Sequence, residues 1–190
     1  MDQLPNLGLI YVMSVGLDHL DVEAANTRDI KVTNALGTNA PSCADHAFAL
    51  LLSVSRHILA NDLSLRENEA DAECQKFHST TIYGRKIGIL GLGSIGYEIA
   101  KRATAFDMTV FYHNRSECDD VPYTYCSSLL ELATEIQILI VSCPGGEATR
   151  NIVNAEVLEA LGPEGTLVNI ARRSIVDTNA LLTALQNGVI

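Results

Sequence analysis

The chain has few basic residues: its 190 residues include 13 Lys and Arg against 23 Asp and Glu, a formal net charge of −10. A chain with this overall charge repels phosphate backbones and anionic lipid headgroups, so general binding to nucleic acid or to a membrane surface is not expected. Any phosphate group that binds here therefore needs a local arrangement of donors.

The chain also lacks the cysteine patterns of metal sites and of disulfide-rich domains. Its cysteines form no C-x-x-C pair and are odd in number, which argues against a zinc site and against a disulfide framework. We therefore expect reduced thiols, no metal, and an intracellular, cytoplasmic protein. The five cysteines are Cys43, Cys74, Cys118, Cys126 and Cys143.

Long hydrophobic runs are absent as well. The longest, residues 47–52, is far shorter than the ~18 residues needed to cross a bilayer. No basic residue precedes the apolar stretch at residues 7–15, so a signal peptide is not predicted. With 47% apolar and 19% charged residues, the composition is typical of a folded globular protein.

Residues 1–40 predict a strand, a short helix and a second strand. The strand patterns cover residues 9–13 and 30–33, and the helix covers residues 21–28 with Asp21 as its N-cap. A stable sheet usually needs three or more strands. This unit therefore predicts the remnant of a larger domain.

Residues 41–79 predict a long interdomain helix and a linker. The helix is expected from residue 42 to about residue 66, with Pro41 in its first turn and Asp45 near the positive end of its dipole. Residues 68–79 are polar and without periodicity. The apolar face of the helix repeats at spacings of three and four: Ala44, Ala47, Phe48, Leu51, Val54, Ile58 and Leu59.

Residues 80–190 alternate strand and helix patterns, with strands expected at residues 86–90, 108–113, 136–142 and 166–171. These strands are rich in Ile, Val and Leu with little alternation, as in a parallel sheet covered on both faces. The prediction is an α/β fold with a doubly wound parallel sheet of four strands. Its last strands are expected to be missing.

A glycine fingerprint, G-x-G-x-x-G, joins the first of these strands to the next helix. Gly91 permits the tight turn, Gly93 the approach of a pyrophosphate, and Gly96 the close packing of helix on strand. The helix start at Ser94 and Ile95 offers free N–H groups and a positive dipole end. The pattern predicts a dinucleotide site.

The end of the second strand distinguishes NAD from NADP. An NAD-specific site needs a carboxylate there for the ribose 2′-hydroxyl, about 20 residues past the glycines, and Asn114 stands at that position. Arg115 and Ser116 follow, and a charge-assisted hydrogen bond to a 2′-phosphate is worth about 1.5–3 kcal/mol. NADP is predicted over NAD; the alternative interpretation is that Arg115 is a solvated turn residue.

The ordered motifs resemble those of the D-isomer-specific 2-hydroxyacid dehydrogenase family, over nearly the whole chain. The turn at residues 113–116 is most similar to the NADPH-preferring branch of glyoxylate, hydroxypyruvate and hydroxyphenylpyruvate reductases. The matching segments are residues 14–21, residues 32–34 with the helix start at 39–52, residues 91–96, Cys143-Pro144 with Thr149, and residues 169–177.

The resemblance implies a Rossmann cofactor domain at residues 80–190, inserted into a flavodoxin-like substrate domain, with catalysis in the cleft between them. It implies reduction of a small 2-oxo acid (glyoxylate, hydroxypyruvate or hydroxyphenylpyruvate) by NADPH to the D-2-hydroxy acid. Since the family usually forms dimers through its cofactor domain, a homodimer is also expected.

The resemblance assigns roles to individual residues. The N–H groups of Val15 and Gly16 would hold the substrate carboxylate, and Arg172 would bind its carboxylate and carbonyl oxygens and polarise the carbonyl. Arg173 replaces the glycine usual after the catalytic arginine, which leaves it as the alternative for that role; Arg172 is preferred, with Arg173 as a helix-end or surface charge. The nicotinamide would lie against Cys143, Pro144, Ile170 and Ala171.

Members of the family also carry a catalytic His and an orienting Glu in sequence beyond the last residue of this chain. A positioned acid contributes roughly 10²–10⁴-fold, so the resemblance implies a fragment that is slow at best. The alternative function is a non-catalytic dinucleotide-binding module. None of the histidines present matches the motif: His19, His46, His57, His78 and His113.

Overall fold

The computed structural model describes residues 1, 3–17, 19–66 and 80–190. The predicted linker at residues 68–79 lies outside the described residues. Within the described ranges, no helix is both long enough and apolar enough to span a bilayer.

The N-terminal unit has the predicted strand–helix–strand order. Strand β1 (Leu9–Val12) pairs in parallel with β2 (Lys31–Asn34), and α1 (Val22–Asn26) connects them. The Asp21 carboxylate accepts a hydrogen bond from the Ala24 N–H at 2.8 Å. This contact confirms the predicted N-cap.

A larger sheet of five parallel strands follows, in the order β5-β4-β3-β6-β7. Chain order reverses at β3, and the crevice outside the carboxyl ends of strands at such a reversal is where open α/β sheets bind ligands. The predicted doubly wound α/β fold is confirmed. Its strands are β3 (Lys86–Leu90), β4 (Thr109–His113), β5 (Thr124–Tyr125), β6 (Ile138–Val141) and β7 (Thr166–Asn169).

The helices cover both faces of this sheet. Side chains of β6 alternate between the two faces: Ile138 and Ile140 belong to one buried cluster, and Leu139 and Val141 to the other. The helices of this part are α4 (Ser94–Ala105), α5 (Leu129–Glu135), α6 (Ala155–Leu161) and α7 (Thr178–Gln186), and two 3-10 turns cover Glu147–Thr149 and Arg173–Ile175.

The prediction of four strands missed β5. This strand has two residues and pairs only with Phe111 and Tyr112 of β4. A segment this short carries no periodicity that a sequence pattern could show.

The single helix predicted from residue 42 to about residue 66 is wrong. The segment forms α2 (Ala40–Ser55) and α3 (Ile58–Arg66), because His57 between them has a left-handed backbone with a φ of 51°. The predicted apolar face divides at the same place. Ala44, Ala47, Phe48 and Leu51 are buried, whereas Val54, Ile58 and Leu59 are exposed.

Helix α2 packs against α4 and joins the buried cluster on that face of the large sheet. The Phe48 ring stacks on Phe106 with centroids 5.4 Å apart. The Arg102 guanidinium forms an ion pair with Asp45 at 2.6 Å. These contacts fix the first half of α2 against the last turn of α4.

Candidate dinucleotide site

The glycine loop (residues 91–96) begins at the end of β3, next to the end of β6. Gly91 has a φ of +100°, and its N–H donates to the His113 carbonyl at 3.0 Å. A Cβ at Gly91 would lie 2.6 Å from the Cys143 backbone. Both the left-handed conformation and the close approach therefore require glycine here.

Gly96 and Gly93 meet different constraints. A Cβ at Gly96 would overlap the Gly91 carbonyl oxygen, so α4 can approach the loop only with glycine at this position. A Cβ at Gly93 would meet no described atom within 4 Å. The protein itself leaves that space open, and a closely approaching pyrophosphate is the group that would need it.

The first turn of α4 faces this loop. Gly93 is the N-cap and makes no side-chain cap bond, and the N–H groups that follow at Ser94 and Ile95 have no intrahelical acceptor. The positive end of the helix dipole adds to these donors. Together, the open space at Gly93 and the helix start fit a diphosphate.

Asn114 has a role that the sequence reasoning missed. Its Oδ1 accepts a hydrogen bond from the Leu92 N–H at 2.7 Å, and its Nδ2 donates to the Cys118 Sγ at 3.0 Å. The carboxamide thus ties the glycine loop to the end of β4. The sequence held no signal for this contact beyond the position of Asn114 at the strand end.

Arg115 and Ser116 follow Asn114 on an exposed turn. Within the described part of the chain, Arg115 forms no hydrogen bond or ion pair. Its guanidinium is therefore available for an anionic group at the carboxyl end of β4.

The end of β6 and the loop that follows it (residues 142–149, the β6 loop) form another side of the site. Cys143 is buried, and burial raises the pKa of its thiol, which keeps the sulfur uncharged at neutral pH. The Thr149 hydroxyl donates to the Pro144 carbonyl at 2.8 Å and closes the loop that follows. This side presents an uncharged surface beside Gly91, which suits an uncharged ring.

The end of β7 places Arg172 beside the β6 loop. A Cβ at Gly145 would lie 2.8 Å from the Arg172 Cγ, so the arginine stem crosses the loop where glycine leaves room. Asn169 shapes the turn: its Nδ2 donates to the Arg172 carbonyl at 2.9 Å, and its Oδ1 accepts from the Ala171 N–H at 3.0 Å. Ile170 and Ala171 are half-buried between them.

Arg173 begins the 3-10 turn and, like Arg172, is exposed. Both arginines line a groove of about 400 Å³ beside β7, together with Asn169 and Thr178. The structure therefore brings two guanidinium groups to this end of the sheet.

Val15 and Gly16 lie in the half-buried turn after β1. The Asn34 Nδ2 donates to the Val15 carbonyl at 2.8 Å, and the Ser14 hydroxyl donates to the Gly16 carbonyl at 3.1 Å. In the neighbouring loop after β2, a Cβ at Gly37 would lie 4.0 Å from the Ser94 Cβ. The N-terminal unit thus approaches the first turn of α4.

Of the described histidines, His113 lies away from Arg172. His113 lies at the end of β4, where its Nδ1 is 2.9 Å from the Cys126 carbonyl oxygen. Three strand spacings of about 4.8 Å separate β4 from β7, which puts His113 about 14 Å from that strand. His78 lies outside the described residues.

Comparison with known proteins identifies the family. Residues 48–190 match the family described as D-isomer specific 2-hydroxyacid dehydrogenase, NAD binding domain. The chain belongs to this family. The α/β sheet is accordingly the Rossmann-like NAD-binding domain of 2-hydroxyacid dehydrogenases.

Among similar proteins, the hydroxyphenylpyruvate reductase of Plectranthus scutellarioides is 39% identical over 188 residues, which is 99% of this chain and 60% of that protein. A glyoxylate/hydroxypyruvate reductase of Arabidopsis thaliana is 37% identical over 191 residues, 100% of this chain and 59% of that protein. The chain therefore spans about 60% of the length of these relatives.

Solved structures are similar over the whole chain. The NADPH-dependent glyoxylate/hydroxypyruvate reductase of Sinorhizobium meliloti, in complex with NADP and malonate, has a TM-score of 0.93 at 40% identity; the match covers 100% of this chain and 60% of that one. The D-lactate dehydrogenase of Aquifex aeolicus, complexed with NAD and lactic acid, has a TM-score of 0.88 at 27% identity, covering 100% and 57%.

Substitution by alanine should have different effects at Gly93 and at Gly96. Gly93→Ala should leave thermal unfolding unchanged and weaken dinucleotide binding at least tenfold, because its methyl group enters the space open to the ligand. Gly96→Ala should lower the unfolding temperature of the ligand-free protein, because its methyl group meets the Gly91 carbonyl. Calorimetry and a fluorescence titration with NADPH measure both effects. Equal loss of stability in both variants would contradict this assignment.

Proposed function

We propose that this chain binds NADPH in preference to NADH and is the cofactor-binding part of a reductase. The reductase would convert a small 2-oxo acid (glyoxylate, hydroxypyruvate or hydroxyphenylpyruvate) to the D-2-hydroxy acid. One observation carries the proposal: the glycine loop and Arg172 lie at the same edge of the sheet, where the strands have their carboxyl ends. The glycine loop leaves free space at Gly93, and Arg172 lies beside the β6 loop. The names of the relatives support this substrate class.

The preference for NADPH follows from the end of β4. Asn114 carries no charge and already bonds the Leu92 N–H, so it does not repel a 2′-phosphate as a carboxylate would. Arg115 then offers the local positive charge. The complex of the Sinorhizobium meliloti reductase with NADP supports this choice.

Arg172 would act on the substrate. Its planar guanidinium can bind the carboxylate and the carbonyl oxygen of a 2-oxo acid and stabilise the charge that develops on that oxygen. The nicotinamide, when bound, supplies a hydride to the carbonyl carbon. Cys143, Pro144, Ile170 and Ala171 would form the uncharged wall beside the ring, and the N–H groups of Val15 and Gly16 would hold the carboxylate.

Removal of the Arg115 charge tests the cofactor preference. We expect Arg115→Ala to weaken NADPH binding about ten- to a hundredfold, the effect of one charge-assisted hydrogen bond, and to leave NADH binding within twofold. Fluorescence titrations with both nucleotides measure this difference. Arg85→Ala, at the other end of the sheet, is the control. Tighter binding of NADH than of NADPH by the unaltered chain would overturn the assignment.

Lysine substitutions separate the two arginines of the groove. Arg172→Lys keeps the charge but loses the two-pronged geometry, so kcat/KM for glyoxylate should fall about a hundredfold or more while NADPH binding is unchanged. Arg173→Lys should have less than a twofold effect. The loss of NADPH absorbance follows both reactions. The opposite ranking would move the catalytic role to Arg173.

We also propose a cytoplasmic homodimer. The four described cysteines are free thiols, which persist in a reducing compartment. On α3, Leu59 and Leu63 lie one turn apart on the same face and are 76% and 56% exposed. We propose that this stripe packs against a second copy of the chain, which would remove its apolar surface from water.

A charge placed on that stripe tests the assembly. Leu59→Asp should convert a dimer into a monomer, whereas Leu182→Asp on α7, at a side chain that is 53% exposed, should not. Light scattering after gel filtration gives the mass. A monomeric unaltered chain, or a Leu59→Asp variant that stays dimeric, would contradict the proposal.

A further inference from the structure

The turn at residues 114–118, which we name the selector turn, is fastened to the sheet at both ends. The Tyr125 hydroxyl donates to the Asn114 carbonyl at 3.3 Å. The Cys118 N–H donates to the Tyr112 hydroxyl at 2.9 Å. Two tyrosines from neighbouring strands therefore hold the first and last residues of the turn.

A third contact closes the turn across its base. The Asn114 Nδ2 donates to the Cys118 Sγ at 3.0 Å, and the Leu92 N–H, which can only donate, requires the carboxamide oxygen on its side. With its nitrogen on the sulfur, its oxygen points to the Leu92 N–H of the glycine loop. A reversed amide would place two donors against each other at Leu92 and lose that bond.

The supporting tyrosines are themselves fixed by packing. Tyr112 is 1% exposed, and burial raises the pKa of its hydroxyl, which stays protonated. Its ring lies 5.4 Å from that of Tyr125, which also stacks on His113 at 6.3 Å between centroids. Hydrogen bonds and ring packing hold the base of the selector turn, and its three middle residues are exposed.

The middle residues carry opposite charges, Arg115 and Glu117. A 2′-phosphate is attracted by the first and repelled by the second, so selection depends on which side chain the turn presents. A turn that is already ordered also loses less conformational entropy on binding, and therefore binds more tightly.

We propose that Cys118 and Tyr125 are positioning residues for cofactor selection. They hold the selector turn in the shape that presents Arg115 and Ser116 to the 2′-phosphate, and Cys118 does so by accepting a hydrogen bond from the Asn114 carboxamide across the base of the turn. The inference rests on the proposed NADPH site. It concerns the adenosine end of the cofactor, away from the reacting carbon.

Conservative substitutions with a matched control test this inference. Tyr125→Phe and Cys118→Ala should each weaken NADPH binding about fivefold, the effect of one neutral hydrogen bond, and leave NADH binding within twofold. Cys118→Ser should retain the affinity for NADPH, because its hydroxyl can accept from the Asn114 Nδ2. Tyr123→Phe is the control, since in the described part of the chain the Tyr123 hydroxyl has no hydrogen bond, and its ring packs on Tyr97 at 6.3 Å.

The ratio of the affinity for NADPH to the affinity for NADH distinguishes a positioning role from a structural one. Equal weakening of NADPH and NADH binding would show a structural role only and overturn the inference. Unchanged binding in Tyr125→Phe and Cys118→Ala would also overturn it, while the proposed function would stand. Failure of the unaltered chain to prefer NADPH would remove the proposed site, and the inference with it.

Discussion

The candidate site depends on three backbone segments that meet with no room for a side chain. Gly91 lies against the Cys143 backbone, and Gly96 lies against the Gly91 carbonyl. Because of these approaches, the carboxyl ends of β3 and β6 and the start of α4 form one surface on which N–H groups are concentrated. Asn114 adds the end of β4 to this surface through the Leu92 N–H. A bulkier residue at either glycine would separate the strands from the helix and disperse these donors.

The contact between α2 and α4 connects the N-terminal unit to this closely packed surface. The Asp45–Arg102 ion pair and the Phe48–Phe106 stack fix α2 on the large sheet. The loop that precedes α2 is thereby held next to Ser94, as the approach of Gly37 shows. The turn with Val15 and Gly16 is joined to β2 through Asn34. Local packing of one helix therefore accompanies the approach of the loop after β2 to the first turn of α4.

Much of this architecture could be predicted from the sequence, because apolar runs and glycine spacing reflect burial and backbone approach directly. The four long strands, the N-cap at Asp21 and the loop glycines are of this kind. The break at His57 could not, since an ordinary residue adopts its left-handed backbone there only in tertiary context. Nor could the Asn114 contacts, which join segments 22 residues apart by side-chain geometry. The sequence marks Asn114 only as an uncharged residue where an NAD-specific site has a carboxylate, and not as a bond to the glycine loop.

The negative net charge of the protein explains why the side-chain contacts of the selector turn matter for cofactor binding. With 23 acidic residues against 13 Lys and Arg, the long-range field of the chain repels a cofactor that carries several phosphate charges. Screening limits this repulsion to about 8 Å at physiological ionic strength, so a few well-placed donors within hydrogen-bond distance can outweigh it. The helix start at Ser94 has no charged side chain, so the exposed Arg115 is the positively charged group of the selector turn suited to an additional phosphate. A small displacement of that turn should therefore affect the choice of cofactor more than the net charge of the protein does.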